Sequence, residues 1–92
     1  MSTTTYTATV ALDEDATTYT SLTLTVGSVK GEPMFVVSYV SCISGDVFKQ
    51  ASYEGSSPRD MVKVSQDVMA LTRNAWVAKQ LGIIGGIVAS LY

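Results

Sequence analysis

Residues 4–12 alternate between two kinds of side chain. Tyr6, Ala8, Val10 and Leu12 fall on one face, and Thr5, Thr7 and Thr9 on the other. A period of two with β-branched residues predicts a half-buried strand. Asp13-Glu14-Asp15-Ala16 reads as a turn. Residues 18–26 then repeat the pattern, with Leu22, Leu24 and Val26 inward and Thr23 and Thr25 outward. The two segments predict an antiparallel hairpin whose solvent face is covered in threonine. After a loop from Gly27 to Pro33, residues 34–43 are apolar on both faces, as expected of a strand that is central or covered on both sides. Ser44-Gly45-Asp46 is a turn signal, and residues 47–53 form a shorter fourth strand.

The period then changes. Ser57 is a good N-cap, Pro58 suits the first helical position, and Asp60 completes a pattern like a capping box. The spacing predicts one helix over 58–81, with Lys79 near its C-terminal end and Gly82 as the stop. Met61, Val64, Val68, Leu71, Ala75 and Ala78 form its inward stripe, and Arg59, Lys63, Gln66, Ala70 and Arg73 its opposite face. Val62, Met69 and Trp76 add a second apolar line. Residues 83–91 read as a last strand or a glycine-broken helix; adjacent glycines with β-branched neighbours favour the strand. The expected fold is α+β, one domain with an antiparallel sheet of four to five strands and one long helix packed on one face.

A chain of 92 residues supports a modest core, burying roughly 60–65% of its unfolded surface. Its charged fraction of 15% is low against about 25% for ordinary domains, which leaves much uncharged surface and favours association. The net charge of −2 is unevenly spread. Lys30 and Lys49 face six acids before residue 58, whereas Arg59, Lys63, Arg73 and Lys79 outnumber Asp60 and Asp67 after it. Nucleic-acid binders are normally far more basic. An acidic protein of this size better fits a basic groove that itself holds nucleic acid.

The chain has no histidine and a single cysteine, Cys42. That leaves no base to activate a thiol, no intramolecular disulfide and a reading of Cys42 as a small core residue. Asp13, Glu14 and Asp15 lack the glycine and the spaced further ligand of a calcium loop. Gly82-Ile83-Ile84-Gly85-Gly86 lacks the features of a phosphate loop or dinucleotide fingerprint. The expectation is a protein without catalytic, metal or cofactor sites. No positive n-region and apolar core mark the first residues, and the apolar run from Leu81 is too short to span a bilayer, so a cytoplasmic location is expected.

The remaining candidates are surfaces. Arg59, Lys63, Gln66 and Arg73 are candidate contacts to a phosphate backbone or acidic patch. Asp13, Glu14, Asp15 and Glu32 are candidates for basic residues of a partner, and Met69 and Trp76 for an apolar anchor. The paired Thr-rich strands from Tyr6 to Val26, the segment Gly31-Glu32-Pro33-Met34-Phe35-Val36-Val37 leading the apolar strand, and the capped helix from Ser57 together resemble small phage-encoded anti-CRISPR proteins that inhibit type I-F systems. The resemblance implies a stoichiometric inhibitor that docks on the crRNA-guided surveillance complex (Cascade), with the crRNA backbone as a further candidate contact, and stops target DNA from binding. No motif carries a functional residue across. The alternative is a minor virion or assembly protein acting through homo-oligomeric contacts.

Overall fold

The computed structural model describes the backbone of residues 3–72 and 74–90. Among them the chain forms β1 (Thr3–Ala11), β2 (Tyr19–Val29), β3 (Glu32–Ile43), β4 (Asp46–Gly55), α1 (Pro58–Thr72) and α2 (Ala75–Ser90). The strands make one antiparallel meander in the order β1-β2-β3-β4. Two of its turns are tight. Lys30 (φ 54°) with Gly31 (φ 82°) joins β2 to β3, and Ser44 (φ 53°) with Gly45 (φ 83°) joins β3 to β4. Positive φ at both central residues matches the right-handed twist of the flanking strands.

The register sorts side chains into two faces. Tyr6 lies opposite Leu24, Leu24 opposite Val37, and Val37 opposite Tyr53; the next row runs Ala8, Leu22, Tyr39, Ala51. Both helices pack on this face. Leu22, Leu24, Phe35, Val37 and Tyr39 meet Met61, Val64 and Val68 of α1 and Val77, Leu81, Ile84 and Val88 of α2 in one buried cluster. The opposite face carries rows such as Thr7, Thr23, Ser38, Ser52 and stays open. The α+β class and the four antiparallel strands agree with the sequence pattern. β3 is an inner strand as expected, but only one of its faces is covered: Val36 and Val40 are half-buried on the open side.

The single helix predicted over 58–81 is two helices. Asn74 breaks it, accepting through Oδ1 from the backbone N–H of Trp76 (2.8 Å) and of Val77 (3.4 Å). These bonds cap α2 as an N-cap side chain does. On the other side of the break, Lys49 Nζ of β4 donates to the Leu71 carbonyl at 3.4 Å, where a cation complements the helix dipole. The physical reason for two helices is width. Four strands about 4.8 Å apart form a face wider than one helix about 10 Å across. α1 therefore lies over β4, and α2 returns over β2.

Of the two readings open for 83–91, the strand is corrected and the helix holds, as far as the described Ser90. The segment continues α2, because Val77, Leu81, Ile84 and Val88 recur at helical spacing and all four are buried. Tyr6 Oη donates to Gln80 Oε1 at 2.5 Å, which satisfies a buried amide and ties α2 to β1.

The start of α1 is as the sequence predicts. Ser57 Oγ accepts from Asp60 N–H at 3.4 Å, and Asp60 Oδ2 accepts from Ser56 N–H at 2.8 Å. Gly55 is required by close packing, since a Cβ there would lie 2.6 Å from both Asp60 Cβ and Phe35 Cζ. Gly55→Ala should therefore destabilise the fold by about 1–3 kcal/mol through overpacking, read from the denaturant midpoint. Asn74→Ala should cost about 1 kcal/mol by removing the α2 cap, read in the same assay.

Candidate functional site

The side chains predicted to act together are largely separated. Asp13, Glu14 and Asp15 sit in the turn after β1, at the end of the sheet that also holds Asp46. Glu32 begins β3 at the opposite end, beside the Lys30 turn. The length of β2, 11 residues, spans roughly 35 Å at about 3.3 Å per residue. The four acids therefore form no single surface. Asp13 is also occupied by its own turn. Its Oδ1 accepts from Thr17 N–H at 2.9 Å and its Oδ2 from the Thr17 hydroxyl at 2.7 Å.

On α1, Arg59, Lys63 and Gln66 are exposed along the outer side. Lys63 lines a shallow cleft with Glu54, Asp60 and Asp67. Three carboxylates around one ammonium weaken any attraction for phosphate. Arg73 lies outside the described residues, so the predicted cationic row is seen only in part.

The apolar line Val62, Met69, Trp76 is split by the helix break. Trp76 belongs to α2 and packs half-buried against the core. Tyr39, Tyr53 and Phe35 are likewise core or core-adjacent, and Tyr92 lies outside the described residues. Val62, by contrast, is 60% exposed. Together with Met69 it lines a cleft of about 500 Å³ between the helices. Its walls are Pro58, Met61, Val62, Ser65 and Met69 from α1, and Ala78, Leu81, Gly82, Gly85 and Ala89 from α2.

None of these lining side chains carries a charge, so the cleft is equipped for apolar contact. Residues 78, 82, 85 and 89 fall on one stripe at helical spacing. Gly82, Gly85 and Gly86 have nothing within 4 Å of where a Cβ would stand. Glycine in a helix costs about 1 kcal/mol relative to alanine, and no contact among the described residues requires it at these positions. The sequence pattern reads Gly82 as a helix stop and the glycines after it as favouring a strand, and so misses the cleft. The signal was present, as small residues recurring at the helical repeat beyond Gly82.

Elsewhere, Cys42 is buried and free beside Tyr19, its register partner. The hydrogen bond with this thiol raises the Tyr19 phenol above its ordinary value. Among the described residues, no group of three or more metal-ligating side chains is assembled, and no helix is long and apolar enough to cross a membrane.

Comparison with known proteins brings no family to bear: no family model matches the chain, and neither does any curated protein or solved structure.

The carboxylates that are engaged have a structural task. The hydrogen bond with the Thr17 side chain holds Asp13 below the ordinary carboxylate value of 3.8, and that from Ser56 N–H does the same for Asp60. A lowered native value means stability that is present above the unfolded value and lost as pH falls through the native one. Thermal midpoints measured as the buffer is taken below pH 3.8 should therefore decline. Asp13→Asn and Asp60→Asn together should flatten that decline.

Proposed function

We propose that this protein is a non-enzymatic inhibitor that occupies a surface of a host ribonucleoprotein. The target in this reading is the crRNA-guided type I surveillance complex, and target DNA is shut out while the protein is bound. The observation that carries the binding class is the uncharged cleft between α1 and α2, floored by glycines that no contact among the described residues requires. A glycine stripe lets a partner backbone approach closely, and Val62 and Met69 supply exposed or half-exposed apolar contact beside it. An apolar helix of a protein subunit fits such a surface. The choice of complex rests on the resemblance of the Thr-rich hairpin, the segment 31–37 and the capped helix to type I-F inhibitors. The exposed Arg59 and Gln66 on the outer side of α1 would then contact the rim, including crRNA backbone.

Purified type I-F surveillance complex should co-elute with the protein on size exclusion and lose its shift of labelled target DNA. Val62→Asp, at an exposed position the fold tolerates, should weaken co-elution at least tenfold, since a charge in an apolar contact must be desolvated. Arg59→Ser with Lys63→Ser should change it less than Val62→Asp. An unchanged DNA shift with no co-elution would remove this complex as the target. Full binding by Val62→Asp would remove the cleft as the contact.

A further inference from the structure

The two edges of the sheet are built differently. β4 ends the sheet with Asp46, Lys49 and Glu54 along it and a register irregularity at Phe48, which are the devices that keep an edge from pairing. β1 ends the other side with Tyr6-Thr7-Ala8-Thr9-Val10-Ala11, a regular run after the irregularity near Thr5. It holds no charge, no proline and no glycine, and so offers an unguarded row of backbone donors and acceptors.

We infer that β1 pairs antiparallel with β1 of a second copy of this chain, about a twofold axis at Ala8, to give a continuous eight-stranded sheet.

Three features select a second copy over a foreign strand. The first is self-complementary side chains. With Ala8 opposite itself, Tyr6 falls opposite Val10 and Thr7 opposite Thr9. Aromatic with β-branched and threonine with threonine are the favourable cross-strand pairs. Because side chains alternate along a strand, this register keeps each face continuous: Tyr6, Ala8 and Val10 stay on the helix side, and Thr7 and Thr9 stay in the open hydroxyl face.

The second feature is charge. The β1–β2 turn carries Asp13, Glu14 and Asp15, while the Lys30 turn lies at the other end of β2. Antiparallel pairing holds the two acidic turns at opposite ends of the joined sheet. A parallel pairing would set them side by side. The third is closure. An isologous contact consumes both free β1 edges and leaves the guarded β4 strand at each end, so assembly stops at two. This dimer stands apart from the inhibitor reading, because the α1–α2 cleft is not part of the contact.

Sedimentation equilibrium of the purified chain should show a concentration-dependent monomer–dimer equilibrium. Thr7→Lys with Thr9→Lys sets like charges opposite each other in this register and should weaken the dimer at least tenfold. Thr7→Lys with Thr9→Asp sets opposite charges there and should keep dimerisation within threefold of the unaltered chain. Ser52→Lys, on the same face of β4, should leave it unchanged. Hydrogen exchange of the unaltered chain should protect the amides of 6–10 more strongly as concentration rises, and decides the matter if the double-lysine chain lacks the native circular dichroism spectrum. A monomer up to millimolar concentration overturns the inference, as does a dimer indifferent to the double lysine or one broken by Ser52→Lys or Val62→Asp.

Discussion

The fold depends on covering one side of a wide sheet. The two inner strands, β2 and β3, present Leu22, Leu24, Phe35, Val37 and Tyr39 to the same side, and water must be kept from all of them. Burying each such side chain contributes on the order of 1.5–3 kcal/mol, so the cover stabilises more than any single polar contact in the molecule. A helix pair is the smallest element that spans the width. The break at Asn74, the capped start at Ser57 and the Tyr6–Gln80 hydrogen bond all serve to set that pair in place. The cleft between α1 and α2 is a by-product of covering a flat area with two cylinders.

Much of this architecture was legible in the residues. Alternation located β1 and β2 to within a few positions, because each has one wet and one dry face. The cap at Ser57 was legible because Ser, Pro and Asp each have a preferred place in the first helical turn. The break was not, because Ala75 and Ala78 continue the spacing of Met61, Val64 and Val68 past Asn74, whereas the positions buried after it, Val77, Leu81, Ile84 and Val88, lie on the opposite side of such a continued helix. The end of the chain misled for a related reason. Gly85 and Gly86 argue against helix by propensity, yet Val77, Leu81, Ile84 and Val88 gain more from burial than the glycines cost.

The site was less legible than the fold. Charges stand out in a chain with so few, and they drew attention to residues that the topology then scattered. Asp13 and Asp60 serve their own turns, Lys49 serves the end of α1, and Lys63 shares its cleft with acids. The surfaces left for contact are those with no charge at all, the glycine-floored cleft and the run from Tyr6 to Ala11. Composition does hint at this, since a surface poor in charge must present hydroxyls, backbone and apolar groups instead.

The meander has a consequence for how the molecule is made. Each strand pairs with its neighbour in the chain, so the whole sheet can zip up from local hairpins soon after it leaves the ribosome. Its apolar side then waits uncovered while residues 58–90 are synthesised, and the last turn to dock, around Val88, belongs to the final few residues described. During that interval the nascent protein is a sticky, half-finished plate. Residues 58–90 are thus what turns a set of hairpins into a stable fold, and every hairpin formed before them stays provisional.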